Sequence, residues 1–176
     1  MLEFGSGQST IVIAHALAKL ANANPKNAYK LYSIDGSKHW TEVTRAKIPK
    51  DLQSFVDLRY SKPIITRFND RICHRHEQLP NITPDFIYLD GPSPYDVEGV
   101  DACGIGFTQE DGNNRSAMSC DVLLYEPFVS TGCTIVIDTR MNNSSFVIKN
   151  LQRNWKHAWD SVFKVHVLEL TDWKKR

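Results

Sequence analysis

Three short apolar runs in this chain end in a carboxylate: Ile34-Asp35-Gly36, Leu89-Asp90-Gly91 and Ile137-Asp138. A fourth acid, Glu3, stands just ahead of Gly5-Ser6-Gly7. Ionised carboxylates only accept hydrogen bonds, so four of them together suit a ligand rich in hydroxyls, one carrying a cation, or one bridged by a metal. Gly5 and Gly7 let a strand turn tightly into a helix and let the backbone approach a ligand closely. Two phosphate-binding versions of such a turn are incomplete here. The dinucleotide fingerprint wants a third glycine where Thr10 stands, and a phosphate loop wants Gly-Lys-Ser/Thr, with no lysine present.

The segments around these residues read as alternating strands and helices. Glu3 lies in an opening strand of about four residues. Ser9 to Asn22 reads as a helix, with Ile13, Leu17 and Leu20 recurring on one face. Residues 29–34 form a strand ahead of Asp35-Gly36, and residues 37–46 a short helix. Val56 to Tyr60 and Ile64 to Phe68 fall in two β-prone runs around Lys62-Pro63, either one strand with an extension or a hairpin, and Pro63 disfavours a central strand at its own position. Residues 85–91, Asp-Phe-Ile-Tyr-Leu-Asp-Gly, are the clearest strand. A polar, glycine-containing connection then runs to Arg115, of a length that is usually functional or mobile. Residues 117–129 read as a helix, 134–137 as a strand, 143–155 as a helix and 161–170 as β-prone, with the last run suited to an antiparallel edge strand. The expected fold is α/β: one domain over residues 1–176 with a doubly wound, mostly parallel Rossmann-like sheet, helices on both faces, and a first strand that reads as truncated. In such sheets ligands sit beyond the carboxyl ends of the strands, where the acids stand.

The bulk properties narrow the function classes. The chain has 176 residues, a formal net charge of +1 and 41% hydrophobic residues, which fits one domain with a real core. A dedicated nucleic-acid binder usually shows a basic stripe, and this charge balance argues against one. No apolar run approaches the roughly 20 residues that span a bilayer, and no signal peptide is evident, so a cytoplasmic location without membrane attachment is expected. Cys73, Cys103, Cys120 and Cys133 lack zinc-ligand spacing and read as reduced thiols. His74 and His76 would share one face of a strand without a third ligand in evidence.

The string Glu3-Phe4-Gly5-Ser6-Gly7 resembles motif I of the class I S-adenosylmethionine-dependent methyltransferases, an acid followed by Gly-x-Gly. The resemblance continues through Asp35 at the end of the second strand, residues 86–91 as motif IV, and residues 135–138 as the fifth strand. The Leu-Asp-Gly and Ile-Asp endings are most similar to small catechol-type and macrocin-type O-methyltransferases. The resemblance implies binding of S-adenosylmethionine by Glu3, Gly5, Ser6, Gly7, Asp35, Gly36 and Asp90, with Asp35 on the ribose hydroxyls. It implies methyl transfer to an oxygen of a small molecule or sugar, with Asp90 as the catalytic residue. Many such enzymes use magnesium, which would fall to Asp90 and Asp138; Thr139 stands where a further ligand is usual, and Asp138 could instead cap a helix or pair with Arg140. Tyr95 and Asp96 would face the substrate or form an ordinary turn. Arg115 could meet a substrate anion, and Trp40 could flank an adenine or pack in the core. Trp155 and Trp159 read as packing residues. A homo-oligomer is compatible with this family. In the resembled family a longer first strand and preceding helices cover the cofactor, so an open cleft above Gly5 and weak cofactor affinity are expected. The alternatives are a non-catalytic remnant or interaction domain that keeps the sheet, and another nucleotide-binding Rossmann-like enzyme.

Overall fold

The computed structural model describes residues 1–103, 107–108, 114–115, 117–138 and 140–172. In chain order the elements are β1 (Leu2–Phe4), α1 (Gln8–Ala23), β2 (Leu31–Asp35), α2 (Lys38–Lys47), β3 (Val56–Tyr60), β4 (Pro63–Phe68), β5 (Arg71–His76), β6 (Phe86–Leu89), β7 (Phe107–Thr108), β8 (Asn114–Arg115), β9 (Met118–Ser119), α3 (Asp121–Tyr125), β10 (Thr134–Ile137), α4 (Met141–Asn150), β11 (Asn154–Asp160) and β12 (Val165–Asp172). One 3-10 helix (Lys50–Phe55) precedes β3, and two (Pro94–Asp96 and Asp101–Cys103) follow β6. Among the described residues, no helix is long and apolar enough to cross a membrane.

Seven strands form one mixed sheet in the order β11-β12-β10-β6-β1-β2-β3. The pairs β1–β2, β1–β6, β2–β3 and β6–β10 are parallel, whereas β12 runs antiparallel to both β10 and β11. From β1 the chain builds outward to β3, then returns to the other side of β1 with β6 and β10. The order therefore reverses between β1 and β6, which is where sheets of this kind open a crevice.

Alternation along the strands assigns the two faces. Leu2, Phe4, Ile34, Ile87, Leu89, Ile135, Ile137 and Leu168 share one face and are almost wholly buried with Val122, Leu123 and Tyr125 of α3 and Val147 of α4. Burying each such side chain is worth about 1.5–3 kcal/mol, enough to keep a three-residue β1 in the middle of the sheet. Glu3 and Ser33 point to the opposite face, where α1 lies. A smaller apolar cluster there joins Ala14 of α1 to Ile48 and Leu52. The buried stripe of α1 is Thr10, Ala14 and Leu17 rather than the expected Ile13, Leu17 and Leu20, and Leu20 is exposed. The helix is rotated so that Thr10 meets Glu3.

Several further expectations are corrected. The two β-prone runs around Pro63 form neither one strand nor a hairpin: β3 edges the main sheet, and β4 opens a separate three-stranded sheet, β4-β5-β9. Pro63 is the first residue of β4, a position that tolerates a missing N–H. Residues 117–129 are helical only over α3, because Met118 and Ser119 pair with Cys73 and His74 of β5. The expected helix 143–155 stops at Asn150, whose side-chain amide donates to the Phe146 carbonyl (2.7 Å), and Trp155 belongs to β11. The final strand, β12, is antiparallel as expected but lies inside the sheet, with β11 at the edge. In β1, Leu2 is in register with Tyr32 and Ile87, and the Met1 carbonyl accepts from the Tyr32 amide (3.0 Å).

Candidate functional site

The turn after β1 is tied to the sheet by a relay of hydroxyls. The Gly7 amide donates to Thr10 Oγ1 (3.0 Å), and the Thr10 hydroxyl donates to Glu3 Oε2 (2.6 Å), which also accepts from the Ser33 hydroxyl (2.6 Å). Glu3 is fully buried, and its Oε1 has no hydrogen-bond partner. Burial pushes the Glu3 carboxyl above the usual range, against the pull of the Ser33 and Thr10 hydroxyls. Thr10, standing where a dinucleotide fingerprint has glycine, thus fastens the turn to the acid beneath it.

Gly5 and Gly7 have different duties. Gly5 has φ +92°, and a Cβ there would lie 2.8 Å from the Gly91 nitrogen and 2.9 Å from the Asp90 carbonyl carbon. A Cβ on Gly91 would in turn lie 2.6 Å from the Gly5 Cα. The first glycine therefore serves the close crossing of two turns of the protein itself. Around Gly7 a Cβ would meet nothing within 4 Å, so the open side of the turn begins there. Gly36 is held between Pro63 and Pro92.

Asp35, at the end of β2, closes the neighbouring loops. Its Oδ2 accepts from the Ser6 amide (2.7 Å) and the Ser6 hydroxyl (2.5 Å), and its Oδ1 accepts from the Ser37 amide (2.7 Å). These donors take three of the roughly four lone-pair positions on a carboxylate, leaving one for a further donor. Asp96 is close enough for its carboxyl to be raised, first by burial and then by the Asp35 charge. Tyr95 is exposed, and so is Trp40, which makes an edge contact with His39 instead of packing in the core.

Asp90 and Asp138 follow the adjacent strands β6 and β10, close enough for Asp138 to act on the Asp90 carboxyl. Arg140 binds both, with Nε 2.9 Å from Asp138 Oδ2 and a terminal nitrogen 3.5 Å from Asp90 Oδ1, while its other terminal nitrogen donates to the Pro92 carbonyl (2.9 Å). Of the two roles open to Asp138, the pairing with Arg140 is the one seen. Burial, then the neighbouring Asp138, raise the Asp90 pKa to about 7, with Arg140 opposing. Burial, then the charges of Asp90 and Asp138, raise the neighbouring Tyr88 hydroxyl to about 12. The donor set does not fit a divalent cation as it stands, because the Arg140 guanidinium already supplies the positive charge between the carboxylates. Among the described residues, no group of three or more His, Cys, Asp or Glu could hold a metal ion. Thr139 lies outside the described residues, and so does the side chain of Arg115.

Behind this edge, the smaller sheet is locked to the main one. Asp121 is fully buried and accepts from the His76 amide (2.9 Å) and the Ser119 hydroxyl (3.0 Å), and it is 2.8 Å from His76 Nδ1. The His76 ring stacks on Phe4 of β1 (5.6 Å). His74 is buried and held neutral, its pKa lowered by burial to about 4. Both histidines are buried on β5, and His76 docks that strand through Asp121 and Phe4. All four cysteines are unbridged, and Cys73, Cys120 and Cys133 are buried.

The structure brings Glu3, Gly5, Ser6, Gly7, Asp35, Gly36, Asp90 and Asp138 to one edge of the sheet. Thr10 and Ser33 join them and carried no sequence signal beyond being hydroxyls near Glu3. A scan against protein-family models finds no match to this chain, and a search of curated proteins finds none either.

Proposed function

We propose that this chain is a class I methyltransferase-like domain with a doubly wound, Rossmann-like sheet, binding S-adenosylmethionine at the carboxyl edge of β1, β2 and β6 and methylating an oxygen of a small molecule or sugar. One observation carries the reading. An unbroken line of contacts runs from Asp35 through Ser6, Gly5 and Gly91 to Asp90 and Arg140, at the point where the strand order reverses. The residues fit the group: Gly7 is open and Asp35 has one acceptor position left, while Glu3, wholly buried, holds the turn from beneath through the Thr10 and Ser33 hydroxyls. When bound, S-adenosylmethionine supplies a methyl group activated by its sulfonium. The chain's own work is positioning and proton handling. Asp90, with its pKa near 7, takes the proton from the acceptor hydroxyl, and Arg140 stabilises the carboxylate that takes it.

A second reading, an interaction domain that keeps the sheet without a ligand, is favoured by the donors that Asp35 and Asp138 already meet within the chain. The third, a dinucleotide enzyme, is disfavoured by β12, whose antiparallel place beside β10 departs from the all-parallel six-stranded dinucleotide-binding order. Calorimetric titration with S-adenosylhomocysteine and, separately, with NAD distinguishes the three. The expected result is binding of S-adenosylhomocysteine by the native chain and loss of it in Gly7→Val, with the melting temperature retained because that side chain enters open space. A folded protein that binds neither compound supports the interaction domain, and binding of NAD alone supports the dinucleotide enzyme.

A further inference from the structure

β11 closes one side of the seven-stranded sheet, and no described strand pairs along its outer side. An edge strand presents a row of unpaired N–H and C=O groups, which proteins usually blunt with charged side chains (lysine above all), proline, a bulge or a very short strand. β11 has seven residues and no proline, and its one irregularity is confined to the Asn154/Trp155 step. Lys156, His157, Ala158 and Trp159 are all exposed. The strand's one cation, Lys156, would repel a neighbouring strand unless that strand brings an acid to meet it.

The sequence of β11 selects the occupant. Lys156 and Asp160 stand two residues on either side of Ala158. An antiparallel copy related by a two-fold axis through Ala158 sets Lys156 opposite Asp160 of the partner subunit, twice by symmetry, with the small Ala158 facing itself. An axis through Lys156 or through Asp160 would oppose like charges, and one through His157 would leave Lys156 opposite alanine. Asp160 Oδ1 holds the hairpin turn by accepting from the Val162 and Phe163 amides (2.9 Å each), and Oδ2 takes no part in that.

Exposed apolar groups lie at both ends of the same edge. Val162 is 80% and Phe163 76% exposed at the hairpin tip, with Trp159 beside them at 49%. At the other end Phe128 is 68% exposed, next to the start of β11, where the Glu126 carboxylate accepts from the Gln152 and Arg153 amides and from Trp155 Nε1. Antiparallel pairing carries the tip of one copy past Trp155 toward the Phe128 end of the other, so each end covers its counterpart. We propose that β11 is the interface of a homodimer in which the two sheets join edge to edge through an axis at Ala158. This is independent of the methyltransferase reading.

Sedimentation velocity and oxidative cross-linking test it on the full chain. The native protein is expected to be a dimer. Lys156→Glu places like charges opposite one another twice and should weaken dimerisation at least about tenfold, given the cost of opposed like charges across strands. Ala158→Cys should cross-link to itself under mild oxidation, since opposite Cβ atoms lie about 4.5–5.5 Å apart, within reach of a disulfide after small adjustment. His157→Cys, which faces Trp159 of the partner subunit, should not cross-link, and neither should the native chain. All these positions are exposed, so melting temperatures should stay near the native value and confirm folding. A native monomer overturns the proposal. So does a dimer that Lys156→Glu leaves intact, or one in which Ala158→Cys fails to cross-link.

Discussion

The Asp90 carboxyl, although its side chain is 46% exposed, is pushed up to about 7, by partial loss of solvent first and by Asp138 second. A carboxyl whose pKa is higher folded than unfolded lends stability that is fully present below its unfolded value near 4 and is lost as the pH rises through about 7. Glu3 is shifted in the same direction and adds to the same slope. Melting temperatures from pH 4 to pH 8 should therefore decline less steeply in Asp90→Asn than in the native chain, and parallel curves would clear Asp90 of this role. Turnover should move the other way and rise through the same window, because a general base works ionised. Arg140 supports a second expectation. While its guanidinium bridges Asp90 and Asp138, magnesium or a chelator should leave the native melting temperature unchanged. In Arg140→Ala the two carboxylates lose their cation, and magnesium should then raise the melting temperature of the variant alone.

Between residues and the whole fold, the smaller sheet depends on one buried pair. Asp121 begins α3 and satisfies both the His76 amide and its ring, so it joins that helix to β5 while the ring packs on β1. Asp121→Ala would strand two buried donors and should cost about 3 kcal/mol or more in urea unfolding. A loss below 1 kcal/mol would mean that the sheet is held elsewhere. This pair also shows where sequence reading stops. In the main sheet β2, β6 and β10 are legible because each is a largely apolar run that ends at an acid, whereas β11 is mostly polar and its first residues continue a helical pattern. Met118 and Ser119 were read as helix because only the presence of β5 makes them a strand, and local propensity cannot see a partner distant in sequence. Trp155 was joined to α4 because its spacing from Leu151 continues a helical stripe, although the backbone turns extended at Leu151 (ψ 135°). Thr10 reads in the sequence only as a missing glycine, and Ser33 carries no signal, because the value of both lies in a contact with Glu3 that needs α1 and β2 in place. Arg140 was visible as a partner for Asp138, but its bridge to Asp90 needs the parallel pairing of β6 with β10.

For the molecule as a whole, the inner place of β12 sets the distribution of stability. Leu168, 1% exposed, pairs with Ile135 of β10 and His157 of β11, so it joins the core to the edge ribbon. Leu168→Ala should cost about 2–5 kcal/mol, whereas Val162→Ala at the hairpin tip should stay within about 0.5 kcal/mol for the isolated protomer, both by chemical denaturation in dilute solution. Equal effects would contradict a base that is anchored and a tip that is not. The interposed strand also has a consequence in time. Ribosomes deliver β10 roughly 30 residues before Leu168, an interval of some seconds at about 5–20 residues per second. Throughout it, nascent β10 has β6 on one flank and bare backbone on the other. β11 emerges first but cannot fill the gap, because its place is one strand further out. Newborn chains should thus pass through a stage with an open seam in the sheet, and that seam is where a chaperone would find its grip.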